Sequence, residues 1–508
     1  MDITSVQYLL FVAISLLIYW NIPSKFQWIL LLIDSTIFYF FNAENYTVIY
    51  LIVSIVSVFA ATQLFTYFDR GTNPNKARKK KLWVLVASLV VNFGMLIVLK
   101  YTNLFIHTWN FMAGRNIEEV NWSASLAISF YTLQITSYLL ECYWGIIKPQ
   151  NNIFKLSLFT AYFPQMISGP ISKYSEIGNS LFEKHGFDYD RVTNGMKRIA
   201  WGLMKKLAIA NRVGIMVDRL WNNLDKYYGI WIWVAIIGYV IQLYSDFSGC
   251  MDIIIGTSDC FGIRLPENFK APLFSKNIQE FWHRWHITLG RWLREYIMNP
   301  LLKSKTMIKL GDISKKKLGK KKGKKIPVYM SMLVLWATMG IWHGNSWKYV
   351  IGEGLWFWIV IVIGQLLEEP FKNLKKKLHI KDGKAWDFLQ IIRTNLIFAI
   401  GMLFFRADSL SDALLRIKNT FPLNVSISMI VNTAIDTTEP LGKEGCLIML
   451  VSLALMFIYD AYVYKGINIT RKISEKNFVM RWGIYTIVIL CVLLSFNVNE
   501  QGFAYAQF

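Results

Sequence analysis

Charge is scarce in this chain. Only 17% of its 508 residues are charged, while 54% are hydrophobic. Soluble domains carry about a quarter charged residues, so an ordinary soluble chain of two or three domains is excluded. Cysteine is scarce too. The five present (Cys142, Cys250, Cys260, Cys446, Cys491) show no CxxC and no paired spacing, which argues against a disulfide framework and against a cysteine zinc site. There is no P-loop, no dinucleotide fingerprint and no GxSxG elbow. No internal repeat is visible, which weighs against a secondary transporter built from two related halves. Met1–Ser5 lacks a basic region, and no small-residue cleavage site follows the first apolar block. That block therefore reads as a membrane helix and not as a cleaved signal.

What is abundant is apolar sequence in blocks near the ~20 residues needed to cross a bilayer. Examples are 6–22, 46–67, 82–104, 347–366, 447–464 and 484–496. Aromatics reach 16%, with 20 Trp, and many flank these blocks as interfacial anchors do. The formal net charge is +22. The basic residues form no folded basic domain, so no nucleic-acid partner is implied. They fall in four runs between spans: 70–81, 303–325 with eleven lysines, 372–384 and 465–481. The positive-inside rule makes these runs cytoplasmic. Counting spans then places both termini outside, along with the loop 407–445, which holds five acidic and three basic residues.

The middle of the chain is less regular. The segment 188–213 reads as an amphipathic helix with basic residues on one side, and 275–299 mixes Trp, His, Arg and Glu. Such pieces belong in the interface or among other helices. The expected fold is all-α, with a ring of about 10–12 transmembrane helices around short, broken and interfacial ones. That layout suits a membrane enzyme or a transporter, and membrane lipid is its implied partner.

Histidines His107, His185, His283, His286, His343 and His379 are the six present. His343 stands in Gly340-Ile341-Trp342-His343-Gly344, at the end of an apolar stretch. An ionisable group in a membrane segment is a functional candidate by default, and the flanking glycines permit close backbone approach. His283 and His286, three apart, would share one face of a helix. With His343 they could form a three-histidine zinc site, although no carboxylate or thiolate at ligand spacing accompanies them. Asp246 and Asp252 end the apolar run 231–243 and have two readings. They pair with the arginines of 284–294, or the pair serves to orient a catalytic histidine. Cys250, beside Gly249, is a weak nucleophile candidate because nothing nearby would lower its pKa. Pro164 and Pro170 break a helix twice, which marks a cavity-lining segment.

In order, the chain presents Phe163-Pro164-Gln165 with Ser168-Gly169-Pro170, Asp246-Phe247-Ser248-Gly249, Pro266-Glu267-Asn268-Phe269, Phe281-Trp282 with Arg284-Trp285-His286, Trp342-His343-Gly344, and Phe404-Phe405-Arg406-Ala407-Asp408. This series resembles the membrane-bound O-acyltransferase family, most closely the branch that O-acetylates bacterial exopolysaccharides such as alginate. A sister branch D-alanylates teichoic acids. The resemblance runs from about Lys100 to the C-terminus. It implies three regions: N-terminal transmembrane helices over 1–120, a catalytic core with a funnel over 121–406, and an outer loop with C-terminal transmembrane helices over 407–508. By motif, His343 takes the catalytic position and His286 the second polar one. Asp246, Trp285, Trp342, Gly344, Arg284 and Asn268 are funnel or supporting candidates. The position of His283 more often holds Arg or Asn in the family, so no catalytic role is assigned to it. The ending Phe503–Phe508 keeps Tyr505 and Gln507-Phe508 but has Ala506 where a bulky aromatic is usual.

The implied reaction moves an acetyl group from cytoplasmic acetyl-CoA across a bacterial cytoplasmic membrane, without a metal. The acceptor is an exported polysaccharide, reached through an extracytoplasmic partner protein. His343 would be general base, or would itself be acylated, with His286 or nearby donors at the oxyanion. The alternatives are D-alanyl transfer from a carrier protein to teichoic acid, and a polar-midplane transporter.

Overall fold

The computed structural model of the chain describes residues 1–43, 45–122, 126–421 and 426–496. The C-terminal motif 503–508 and part of the loop 407–445 lie outside these. Among the described residues every regular element is helical and there is no strand. A helix satisfies its own backbone hydrogen bonds, the one open solution for a segment in lipid other than a closed barrel. Among the described residues seven helices are long and apolar enough to cross a membrane: Val48–Asp69, Pro74–Ala113, Ile230–Cys260, Ile326–His343, Trp347–Leu366, Lys384–Arg406 and Ile427–Tyr464. Two shorter apolar helices, Val6–Asn21 and Phe478–Leu493, accompany them. This is a multi-pass membrane protein.

Exposed apolar and buried polar side chains occur on the same helices. Leu10, Ile14 and Leu17 point outward from the first helix, while Tyr8, Ser15 and Tyr19 are buried. Asn92, fully buried, donates to Ser57 Oγ (3.0 Å) and to the Ser88 carbonyl (2.8 Å). Polar links of this kind join helices where lipid supplies no hydrophobic drive.

By its contacts the chain forms two compact units, 1–199 with 250–267, and 200–249 with 268–508. In the first, the Pro164–Pro170 break is a four-residue helix, Phe163–Met166, buried throughout. At Gly169 a Cβ would lie 2.3 Å from the Gln165 Cα, so the turn closes tightly there. Arg198 holds this unit's Asp252 (Nε–Oδ1 2.9 Å) and Glu267 (2.6 and 2.8 Å). The second carboxylate of the 246–252 pair is therefore neutralised by Arg198, and the arginines of 284–294 are not needed for it.

The second unit contains the three π-helical turns found among the described residues, Met204–Ala210, Arg294–Met298 and Val350–Leu355. Such turns are rare and are frequent at functional sites. Lys205, Lys206 and Arg212, read from sequence as the basic side of an amphipathic helix, are buried. Lys205 reaches Ser248 Oγ (2.9 Å), and Arg212 reaches Ser495 Oγ (2.7 Å) and the Leu494 carbonyl (3.2 Å). The lysine-rich run 303–325 is helical over Lys305–Gly323, capped by Ser304 and broken at Gly319 (φ 79°). Lysine is a good helix former, and its long side chains spread away from the backbone into solvent.

Replacing Arg198 with Ala would leave Asp252, only 15% exposed at its side chain, without its cation. The expected cost is about 2 kcal/mol, read as a lower melting temperature of the detergent-purified protein.

Candidate active site

The Ile326–His343 helix stops at His343, and Gly344 continues in extended backbone (φ −167°, ψ 170°). The chain then folds back through Trp347–Tyr349 into the π turn Val350–Leu355. Glycine makes the close return possible. A Cβ on Gly344 would sit 2.1 Å from the Tyr349 ring, and one on Gly340 would sit 2.7 Å from the Tyr349 carbonyl oxygen. Lys348 fastens the same hairpin by donating from Nζ to the carbonyls of Phe405 and Ala407, at the end of the Lys384–Arg406 helix. Unpaired carbonyls at a helix C-terminus favour a cation there.

The return lays Glu353 against His343, with 3.3 Å between Oε1 and Nε2 and both side chains 5% exposed or less. Phe405 and Trp342 meet the His343 ring edge-on, with centroids 5.7 and 5.0 Å away.

His286 approaches from a different element. The helix Ile278–Arg284 ends at Trp285, whose backbone is extended, and His286 adopts the left-handed conformation (φ 45°, ψ 51°) before Ile287–Leu293 begins. His283 and His286 therefore do not share a helix face, because the helix that would align them stops between them. His283 is instead 3.2 Å from Arg294 Nη1. Among the described residues no three His, Cys, Asp or Glu side chains gather to hold a metal.

Asn268 supports the unusual backbone at His286. Its Oδ1 accepts from the Thr288 N–H (3.1 Å) and hydroxyl (2.9 Å), and its carbonyl accepts from Ile287 N–H (3.0 Å). The same Oδ1 is 3.2 Å from His286 Nδ1. The Thr288 N–H fixes which end of the amide faces inward, so Nδ1 is assigned the imidazole proton and Nε2 the lone pair. Burial holds this histidine neutral, with its pKa pushed down to about 3. Trp342 stands between the two histidines, 5.9 Å from the His286 ring and 5.0 Å from that of His343.

The sequence agrees with this picture. The family model for the membrane-bound O-acyltransferase family matches residues 148–311. The chain is 30% identical to the peptidoglycan O-acetyltransferase of Helicobacter pylori, across 90% of this chain and 88% of that one. It is 27% identical to the probable alginate O-acetylase AlgI of Pseudomonas aeruginosa, across 80% and 71%. With the teichoic acid D-alanyltransferase of Bacillus subtilis it shares 28% identity over 50% of this chain and 62% of that one. The chain belongs to the membrane-bound O-acyltransferase family.

As a member of that family the protein is an acyltransferase, and its other expected residues sort by position. Asp246 Oδ1 is 2.6 Å from Lys206 Nζ, with both groups buried. Its carboxylate faces that lysine on the Met204–Ala210 turn, and the carboxylate on His343 is Glu353. Trp285 packs among Phe269, Phe281 and Phe398, 5.0 to 5.6 Å between rings. Arg284 donates to Glu280 (3.0 Å) and to the Lys270 carbonyl (3.1 Å), tying down the loop that carries Asn268. Arg406 donates to Asp218 (2.5 Å) and lies over the rings of Trp221 and Tyr239.

Glu353 escaped the sequence reading because 347–366 reads as one apolar block. The available signal was an acidic residue inside a membrane span, bracketed by Gly352 and Gly354.

His286 provides a conformational test. Left-handed backbone costs a residue with a Cβ about 1 kcal/mol relative to glycine. His286→Gly is therefore expected to unfold at a higher denaturant midpoint than His286→Ala, although both remove the imidazole.

Proposed function

We propose that this acyltransferase moves acetyl from cytoplasmic acetyl-CoA across the bacterial cytoplasmic membrane, for O-acetylation of an exported polysaccharide through an extracytoplasmic partner protein. The observation that carries this reading is a buried histidine, His343, at the end of a membrane helix, beside Trp342 and His286. The acetylating relatives support acetyl over D-alanyl, since they match 80–90% of the chain and the D-alanyltransferases match 50–58%.

His343 acts as general base. It takes the proton of the acceptor hydroxyl as that oxygen attacks the thioester carbonyl. Collapse of the tetrahedral intermediate breaks the C–S bond, and the imidazolium returns the proton to the departing thiolate. In the alternative route His343 is itself acylated, and the acceptor then attacks the acyl-imidazole. His286, with Nδ1–H committed to Asn268, presents an acceptor at Nε2. It is thus suited to accept from a second donor group of the acceptor, leaving the reacting hydroxyl's proton to His343, and oxyanion donors come from elsewhere. The four basic runs face the cytoplasm and both termini face outside, which brings the lysines of 305–325 to the side where a polyanionic coenzyme arrives.

Membranes holding the protein, given labelled acetyl-CoA, are expected to transfer or release label, and His343→Ala at matched expression is expected to lose about 10³-fold or more. Equal label from both would remove His343 from the chemistry. Label from neither, with transfer from a D-alanyl carrier instead, would establish the alternative donor.

The lysine-rich helix has its own signature. With Lys315, Lys316 and Lys317 all changed to Gln, KM for acetyl-CoA is expected to rise several-fold with kcat unchanged. The wild-type KM should approach the variant's as salt rises past about 0.3 M.

A further inference from the structure

We infer that Glu353 is the positioning residue for His343, a carboxylate that sets the imidazole's orientation and balances its positive charge as it takes a proton. The inference rests on His343 being the base, and it deepens that reading by naming the group behind it.

Geometry carries the argument. Oε1 of Glu353 and Nε2 of His343 are 3.3 Å apart, with 4% and 5% of the side chains exposed. The pairing spans ten residues and needs a specific backbone. The π turn Val350–Leu355 swings Glu353 toward the helix end, and glycines on both sides remove the side chains that would hold it off. A Cβ on Gly354 would lie 2.9 Å from the Trp336 carbonyl oxygen, and one on Gly352 would lie 2.0 Å from the Phe404 Cβ. Three stretches thus converge around one acidic side chain.

Packing alone does not account for a carboxylate here. An acidic group inside a membrane segment costs about 2.5 kcal/mol or more against an apolar one. Oε2 has no hydrogen-bond partner among the described residues, so the group is not bridging backbone donors. Tyr239 and Tyr349 lie within its electrostatic reach, and neither phenol supplies a cation. His343 becomes one at the moment it accepts a proton. A buried carboxylate on the far nitrogen of a general base orients the ring and stabilises the imidazolium that forms.

The test uses the full-length protein in detergent or liposomes with acetyl-CoA as donor, comparing wild type, Glu353→Gln, Glu353→Asp and His343→Ala. Glu353→Gln is expected to lower kcat about 10²-fold and to change KM less than about threefold. Glu353→Asp, which keeps the charge on a shorter stem, is expected to recover to within about tenfold of wild-type kcat. A Gln variant with kcat within twofold of wild type would overturn the proposal, as would equal losses in the Gln and Asp variants. Failure of both to yield folded protein by size exclusion would assign the carboxylate to packing and overturn it too. The parent reading fails separately: His343→Ala at wild-type rate would remove the base itself, whatever Glu353 does.

Discussion

A bilayer offers no hydrogen bonds. Every polar group this protein keeps at membrane depth must find its partner inside the protein or stay unsatisfied at a cost of several kcal/mol. The consequences run through the molecule. Among the described residues the elements are all helical. Asn92 ties to Ser57, Lys206 to Asp246 and Lys348 to the carbonyls of Phe405 and Ala407. Buried lysine and arginine reach a carboxylate, a hydroxyl or backbone carbonyls, while apolar residues such as Leu10, Ile14 and Leu17 face out.

Under that constraint, the candidate site is built by breaking helices at chosen points. The Ile326–His343 helix ends in an extended glycine, the 278–293 segment breaks at a left-handed histidine, and the 347–366 span opens with a π turn. Each break re-aims one side chain: His343, His286 or Glu353. The left-handed backbone at His286 costs about 1–2 kcal/mol, and the Asn268 amide offsets this by capping the next helix where the histidine cannot. Strain held at one residue by a polar neighbour is expected of a site that needs its imidazole in a single orientation and a single tautomer.

Glycine governs how near the breaks approach one another. Gly340, Gly344, Gly352 and Gly354 would each carry a Cβ into a neighbouring backbone or ring at 2.0 to 2.9 Å. In lipid, where apolar surface gains little by associating, small residues let backbones meet and dispersion act at short range. The hairpin from His343 to Glu353 therefore depends on positions that carry no chemistry of their own.

Much of this was legible in the sequence. Apolar blocks of bilayer length determine a multi-pass helical protein, since their hydrophobicity is a local property of each segment. The ordered motifs around Asp246, His286 and His343 point to the acyltransferase family, and the glycines beside His343 signalled close approach. Tertiary structure alone decided the pairings. Asp246 went to Lys206 and Asp252 to Arg198, where the sequence had left the arginines of 284–294 open, because facing partners come from elements brought together only on folding. His283 and His286, three apart, lost their common face to a helix end that spacing cannot reveal. Glu353, hidden in an apolar block, became the carboxylate on His343 because a π turn and four glycines fold the chain back on itself, and that is a property of packing between segments that no single segment contains.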